Sequence, residues 1–171
     1  KPLKPTGVTS GSGRKVWWKC PVADDHEWEA SIQNRCLKKS GCSICANRTT
    51  VKSNCLATTH PGIASQWHST KNRPLTPLNV NIGSHKKAWW KCDKGKDHVW
   101  RAIIDSRVKS NCPVCAGRKV VPSNCLSRTH PKIAREWHPI KNSGLKPRDF
   151  VAGSARKVWW QCRKNSDHEW A

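Results

Sequence analysis

The feature that most constrains the fold is a set of four metal-type ligands that occurs twice with closely matching spacing. Each set has a cysteine, a histidine six residues later and a Cys-x-x-Cys pair: Cys20, His26, Cys42 and Cys45, then Cys92, His98, Cys112 and Cys115. Three thiolates and one imidazole form the tetrahedral donor set of structural zinc. Buried free cysteines beside a core histidine would not require this repeated spacing. The sequence therefore predicts two complete Zn2+ sites, on modules that need the metal in order to fold.

The ligands belong to a longer repeat. Trp-Trp-Lys-Cys at residues 17–20 returns at 89–92, and Trp-Trp-Gln-Cys stands at 159–162. Repeats of this length indicate an array of small units. We predict zinc module 1 at 1–73, zinc module 2 at 74–144 and the truncated start of module 3 at 145–171, where Cys162 and His168 form a partial metal site. Both ends resemble cuts through an array, so we expect a fragment of a longer protein.

Composition favours small units held by metal over one large core. The chain has 10 Cys and 11 Trp but one Phe, no Tyr and no Met in 171 residues. A secreted disulfide scaffold is the alternative, but disulfides do not require histidines at repeating positions. The sequence shows neither a signal peptide nor an apolar run that could cross a membrane. We expect an intracellular, reducing compartment, without distinguishing cytoplasm, nucleoid and nucleus.

Residue patterns predict how each module is built. Val16, Trp18 and Cys20 alternate with Lys15, Trp17 and Lys19, which predicts a strand with one dry and one wet face. A second dry face runs from His26 to Ile32, so the two segments should form a hairpin. Short helices are predicted at 61–67 and 131–137, each beginning with proline. The fold class is therefore small zinc-stabilised α+β repeats in tandem, each with a β-hairpin, zinc knuckles and a short helix.

Other cysteines and histidines leave alternatives open. Cys36 aligns with Val108 and is predicted to be a small buried residue. Each aspartate before a ligand histidine could orient the imidazole or simply occupy a turn. A second set of three potential ligands recurs without an evident fourth: Cys55, His60 and His68, then Cys125, His130 and His138. These residues could form a further metal site, or they could cap helices and pack in the core.

The charge points to a polyanionic partner. The chain has 32 Lys plus Arg against 11 Asp plus Glu, a formal charge of +21. Two Cys3His zinc sites would change this by only about two charges. DNA is the partner we expect, with RNA as the alternative. The predicted nucleic-acid-binding residues are Arg14, Lys15, Trp17, Lys19, Arg35, Arg48, Lys86, Lys87, Trp89, Lys91, Arg107, Arg118, Lys119, Arg156 and Lys157.

The tryptophans of the wet face have two interpretations. Trp17, Trp89 and Trp159 could stack on bases between flanking lysines, a contact worth about 1–3 kcal/mol per base. They could instead pack against a neighbouring helix or module and so anchor the array. The packing interpretation is favoured because repeats need an interface.

The motif order Trp-Trp-Lys-Cys, His-x-Trp, Cys-x-x-Cys, Thr-His-Pro and Trp-His resembles a family of zinc-ribbon or treble-clef zinc-finger repeats, formerly a domain of unknown function. The resemblance covers 17–45, 60–68, 89–115, 130–138 and 159–170. It implies tandem treble-clef-like modules that ligate zinc through the two sets of four named above. It also implies nucleic-acid binding, sometimes beside nuclease-like domains, and no catalytic residue. The truncated third copy departs from the pattern.

Three functions compete. The leading one is a DNA-binding zinc array. The second is a protein-interaction scaffold in which the zinc modules are rigid spacers. The third is a nuclease of the His-metal treble-clef type, which would need an open coordination position on the metal. Because both histidines occupy zinc-ligand positions, we expect a chain that is not an enzyme.

Overall fold

The computed structural model describes residues 3–171. The chain divides into two compact units, Lys1–Trp89 with Arg101–Lys109 (unit 1) and Trp90–Trp100 with Ser110–Ala171 (unit 2). The module boundaries drawn from the sequence repeat, 1–73, 74–144 and 145–171, stay a prediction. Among residues 3–171, no helix has both the length and the apolar character needed to cross a membrane.

Three two-stranded sheets recur along the chain, one for each copy of the Trp-Trp motif. The first pairs β1 (Lys15–Lys19) with β2 (Glu27–Ser31), the second β3 (Lys87–Lys91) with β4 (Val99–Ile103), and the third β5 (Trp160–Gln161) with β6 (Glu169–Trp170). β1 and β2 are antiparallel, with Trp18 opposite Trp28. Trp28 is buried whereas Trp17 is 74% exposed. The predicted dry and wet faces of this hairpin are confirmed.

A short helix follows the second strand of each complete hairpin. These are α1 (Ile32–Cys36) and α4 (Ile104–Val108). The hydroxyl of Ser31 accepts a hydrogen bond from the N–H of Asn34 and so caps α1. Ile32 and Ile104 are buried in the core of unit 1. Cys36, which was expected to be buried, is exposed at the last position of α1.

A pair of four-residue helices follows each zinc-ligand region. The first helix pair is α2 (Leu56–Thr59) with α3 (Pro61–Ala64), and the second is α5 (Leu126–Thr129) with α6 (Pro131–Ala134). The helices predicted at 61–67 and 131–137 are therefore three residues shorter than expected. In the first, the N–H groups of Gln66 and Trp67 bond three residues back rather than four, so the α-helix gives way to tight turns.

Each helix pair packs on the irregular segment that precedes the next hairpin. The N–H of Leu56 donates to the carbonyl of Val80 at 2.8 Å, and Leu126 does the same to Phe150 at 2.7 Å. Leu56 is fully buried and Val80 is 2% exposed. In the second copy this preceding segment includes a 3-10 helix, Pro147–Asp149, and another lies at Pro5–Gly7. The second half of one repeat thus supplies apolar cover for the start of the next.

Candidate metal centres

The first metal centre lies at one end of the first hairpin. Cys20 follows β1, His26 precedes β2, and Cys42 with Cys45 lies in the turn after α1. The Sγ atoms of Cys20 and Cys45 are 3.7 Å apart, and Nδ1 of His26 is 3.3 Å from Sγ of Cys45 and 3.8 Å from Sγ of Cys42. A regular tetrahedron around Zn2+ has edges of about 3.8 Å between sulfurs and about 3.6 Å between sulfur and nitrogen. These side chains therefore fit a zinc ion.

The second centre repeats this geometry in unit 2. The Sγ atoms of Cys92 and Cys115 are 3.8 Å apart. Nδ1 of His98 is 3.4 Å from Sγ of Cys115 and 3.8 Å from Sγ of Cys112. In both sites all four ligand atoms lie within 4.8 Å of one another. The prediction of Zn2+ as the cofactor, held in two Cys3His sites, is confirmed.

The thiols of both sites need a cation to ionise together. Burial, followed by the neighbouring thiols, raises the pKa of Cys45 to about 11 and that of Cys115 to about 11. Burial also acts on Cys42, but the backbone N–H groups of Cys45 and Ile44 outweigh it and lower the pKa of that thiol. Repulsion between adjacent thiolates then keeps the proton on Cys45 and on Cys115 when no metal is bound. Zn2+ offsets that repulsion, and its binding releases the thiol protons.

A serine and an aspartate hold each ligand histidine from the side away from the metal. Nε2 of His98 lies 3.4 Å from Oγ of Ser123, whose hydroxyl donates to Oδ1 of Asp97 at 2.7 Å and whose N–H donates to Oδ2 at 2.9 Å. The two hydrogen bonds from Ser123 lower the pKa of Asp97. Because Nδ1 faces the metal, Nε2 carries the proton and donates it to Ser123. The carboxylate therefore orients the imidazole through the serine.

The first site repeats the contacts of the serine with the imidazole and of its N–H with the carboxylate, whereas Oδ1 of Asp25 has no partner among residues 3–171. Nε2 of His26 lies 3.1 Å from Oγ of Ser53, and the N–H of Ser53 donates to Oδ2 of Asp25 at 2.8 Å. An orienting role of the aspartates was one of two alternatives predicted from the sequence, and that of the serines was not predicted. The available signal was the recurrence of Ser-Asn-Cys-Leu, at residues 53–56 and 123–126. That string lies too far along the chain from the histidine to be assigned to it by spacing alone.

The second set of three cysteines and histidines is not brought together around a metal, whereas Cys162 and His168 stand across the third hairpin as Cys20 and His26 do across the first. Among residues 3–171, the two sets of four are the only clusters with ligand geometry. Sγ of Cys55 contacts Oγ1 of Thr58, and Sγ of Cys125 contacts Oγ of Ser127. Cys162 and His168 are joined by a backbone hydrogen bond across the third hairpin. The second set of three ligands therefore does not assemble a site.

The predicted nucleic-acid contacts fall into two groups. The basic side chains that are exposed are Arg14, Lys15, Lys19, Arg48, Lys86, Lys87, Lys91, Arg118, Lys119, Arg156 and Lys157. Arg107 is only 6% exposed, and its Nη2 donates to Oε1 of Gln66 at 2.6 Å. Arg35 is half-buried over the rings of Trp18 and Trp28. The expectation of a phosphate contact is corrected for Arg107, because its charge is turned into the protein.

A family model described as "Probable Treble clef zinc finger domain" matches the chain three times, at residues 1–48, 63–118 and 133–171. No curated protein matches the chain. The matched segments contain every ligand of both metal centres and cover most of the sequence. The resemblance inferred from the motifs is thereby confirmed, and the chain belongs to this treble clef zinc finger family.

Proposed function

We propose that this chain binds nucleic acid, with double-stranded DNA as the main ligand and RNA as a weaker one, through basic surfaces on zinc-stabilised modules. The observation that carries the proposal is that both units have a surplus of positive charge. Unit 1 has 17 Lys plus Arg against 5 Asp plus Glu, and unit 2 has 15 against 6. Polyphosphate attracts such surfaces, because every phosphate contact releases counterions.

The hairpins present part of this charge on their wet faces. On β1, Lys15 and Lys19 are exposed and point to the same side as Trp17. The ammonium group of Lys19 forms ion pairs with the carboxylates of Asp24, at 3.9 Å, and Glu27, at 3.7 Å. Lys19 is therefore a weaker candidate for a phosphate contact than Lys15. Lys15 has counterparts at the same repeat position in Lys87 and Lys157, both exposed. These three lysines are the best phosphate candidates, one for each copy of the repeat.

A catalytic role is not part of the proposal. Each zinc would be held by four protein ligands, so neither site leaves a coordination position open for water or substrate. His26 and His98 are ligands through Nδ1 and bonded to serine through Nε2, so neither imidazole is left to act as a general base. The zinc centres support the fold and leave binding to the surface around them.

The test is a salt titration of binding. The zinc-loaded chain is mixed with random-sequence duplex DNA and, separately, with single-stranded RNA, from low to physiological salt. We expect affinity for duplex DNA to fall steeply with salt and to exceed that for RNA. Affinity that is indifferent to salt, or no binding at low salt, would refute the proposal. Retention of an acidic protein by a chain that does not bind nucleic acid would favour the scaffold function instead.

A further inference from the structure

Trp17 lies on the free edge of β1, with its backbone groups turned away from β2. The N–H of Cys20 bonds to the carbonyl of His26, and the N–H of Ile32 bonds to the carbonyl of Arg14. Even-numbered residues of β1 therefore pair with β2, and the N–H and C=O of Trp17 face outward. Among residues 3–171 neither group has a hydrogen-bond partner. An open strand edge of this kind is a template for another polypeptide segment.

The same position is covered in the second copy. Nδ2 of Asn72 donates to the carbonyl of Trp89 at 2.8 Å, and its Oδ1 accepts from the N–H of Trp89 at 2.7 Å. The N–H of His68 donates to the same carbonyl at 3.0 Å, and Nζ of Lys71 lies 4.6 Å from the centre of the indole. All four residues belong to unit 1. The loop that follows the first helix pair therefore closes this strand edge.

The third copy is covered in the same way. Nδ2 of Asn142 donates to the carbonyl of Trp159, and Oδ1 of Asn142 accepts from the N–H of Trp159, both at 2.8 Å. The backbone N–H of His138 donates to the same carbonyl at 3.0 Å. Nζ of Lys141 lies 4.7 Å from the indole. These residues all belong to unit 2. In both the second and the third copy, the backbone of the first tryptophan of the Trp-Trp motif is thus covered by the same kind of segment, a helix pair followed by Lys-Asn.

An apolar groove beside Trp17 matches the place where the helix pair packs. It has a volume of about 380 Å3 and its apolar lining includes Leu3, Val8, Val16, Trp18 and Ile32. Val8 and Trp18 hold the repeat positions of Phe150 and Trp160 in the third copy. There Trp137 of the helix-pair segment packs against both rings, each centroid 5.4 Å away. In the first copy the equivalent surface stays open.

Arg35 offers a polar contact for the same segment. It holds the repeat position of Arg107, whose guanidinium is bonded to Gln66 just after the first helix pair. Nη1 of Arg35 donates to the carbonyl of Ser40, and its Nε is buried with no hydrogen-bond partner among residues 3–171. A glutamine or glutamate at the place of Gln66 would lie near this guanidinium, and the second helix pair carries Glu136 there.

We propose that the outer edge of β1 and the adjoining groove form a docking site for a polypeptide segment with the chemistry of this repeat's own helix pairs. Its tryptophan would fill the groove between Val8 and Trp18, and its Lys-Asn pair would cover the ring and the backbone of Trp17. Such a segment satisfies the strand edge and fills the apolar groove together. The proposal is independent of nucleic-acid binding.

The test places such a segment next to the site in the intact chain. A second copy of residues 51–72 is fused ahead of Lys1, in register with the natural junction at 72–74. Amide exchange of Trp17 is then measured by NMR on the zinc-loaded protein. We expect exchange at Trp17 to slow by about tenfold or more, the change that one hydrogen bond of ordinary strength produces. A matched fusion, with Asn72→Ala and Trp67→Ala in the added copy only, should not slow it.

Trp89 and Trp159 are internal references, because their amides are bonded in every version of the chain. The proposal is overturned if, in the fusion with the natural sequence of residues 51–72, Trp89 and Trp159 are protected while Trp17 exchanges as fast as in the chain without the added copy. Equal protection by the fusion and its matched control overturns it as well. Protection of Trp17 by duplex DNA, with none from the fused segment, would assign the surface to nucleic acid instead.

Discussion

Nε2 of His138 donates to Oε1 of Glu169 at 2.7 Å, and the imidazole is almost completely buried. Nδ1 of the same ring accepts the N–H groups of Ile140 and Lys141, both at 3.1 Å. Because Nδ1 is an acceptor, the proton of the neutral ring is on Nε2. Glu169 also bonds to the ammonium group of Lys141. One carboxylate of β6 therefore ties the third hairpin to the loop after the second helix pair.

Replacing this carboxylate should loosen the end of unit 2. Glu169→Gln keeps an acceptor for His138 but loses the ion pair with Lys141, so we expect a lower melting temperature for the zinc-loaded chain. Glu27 holds the same repeat position in the first hairpin, but it pairs with Lys19 at 3.7 Å with both side chains more than half exposed. Glu27→Gln is the matched control and should change little. Equal effects of the two substitutions would contradict the prediction.

The pH dependence of this contact follows from the pKa of Glu169, which Lys141 and then His138 lower below its ordinary value. A depressed folded-state pKa contributes stability above the unfolded value, about 4.3 for glutamate, and loses it as the pH falls through the lower folded value. The difference in melting temperature between the wild type and Glu169→Gln should therefore persist down to about pH 5. A difference that disappears between pH 7 and pH 6 would show that another group controls it.

Zinc affinity of the second site should depend on residues that do not touch the metal. Ser123→Ala removes the acceptor of His98 Nε2, and Asp97→Asn disturbs the carboxylate that holds Ser123. Loss of such a partner typically weakens metal binding by about 10- to 100-fold. Competition with a chromogenic chelator would measure it, with the first site as reference in the same molecule. Weakening of both sites to the same extent would point to general destabilisation.

The asparagines that close the strand edges should be costly to lose. Asn72 and Asn142 are buried, and each satisfies both backbone groups of one tryptophan. Asn72→Ala or Asn142→Ala leaves the N–H of that tryptophan without a partner, whereas its carbonyl keeps the bond from His68 or His138, and we expect a cost of about 1–3 kcal/mol in the free energy of unfolding. Denaturant unfolding of the zinc-loaded chain measures this. Asn34→Ala, at an exposed position of α1, should have no comparable effect.

The ligand residues and the faces of the hairpins could be predicted from the sequence because both are local patterns. Cys20 and His26 lie on neighbouring strand ends, and alternation from Val16 onwards fixes which side chains turn inward. The roles of Asn72 and Ser123 could not be predicted in this way. Each acts on a residue 17 or 25 positions away in the chain, and an asparagine or serine between elements has the composition of any loop.

The burial of Arg107 and the exposure of Cys36 could not be predicted from the sequence either. Arg107 was predicted to meet phosphate, but a glutamine 41 residues earlier bonds to its guanidinium inside unit 1. Cys36 was predicted to be buried by alignment with Val108, yet it lies beside the open groove of the first copy. Both differences arise from the same cause, which is that a helix pair covers the second copy and no described segment covers the first.

Removal of zinc should unfold the hairpins. The four ligands of each site come from three separate parts of the chain, and binding energy of structural zinc is folding energy. We expect two zinc ions per chain by elemental analysis, and loss of amide dispersion in NMR spectra when a chelator is added. Cys42→Ser or Cys112→Ser should each leave one tightly bound ion. Cys36→Ser should leave two, and loss of zinc from this control would contradict the assignment.

Charge at the repeated position two residues before each Trp-Trp motif should determine the salt dependence of nucleic-acid binding. Lys15, Lys87 and Lys157 occupy this position in the three copies and are exposed. If each lysine meets one phosphate, replacing all three by Gln should reduce the slope of log affinity against log salt by about 3. The control replaces Lys38, Lys132 and Lys164, also exposed, and so removes the same net charge. A slope that falls equally in both proteins would mean that total charge, rather than the wet faces of the hairpins, determines binding.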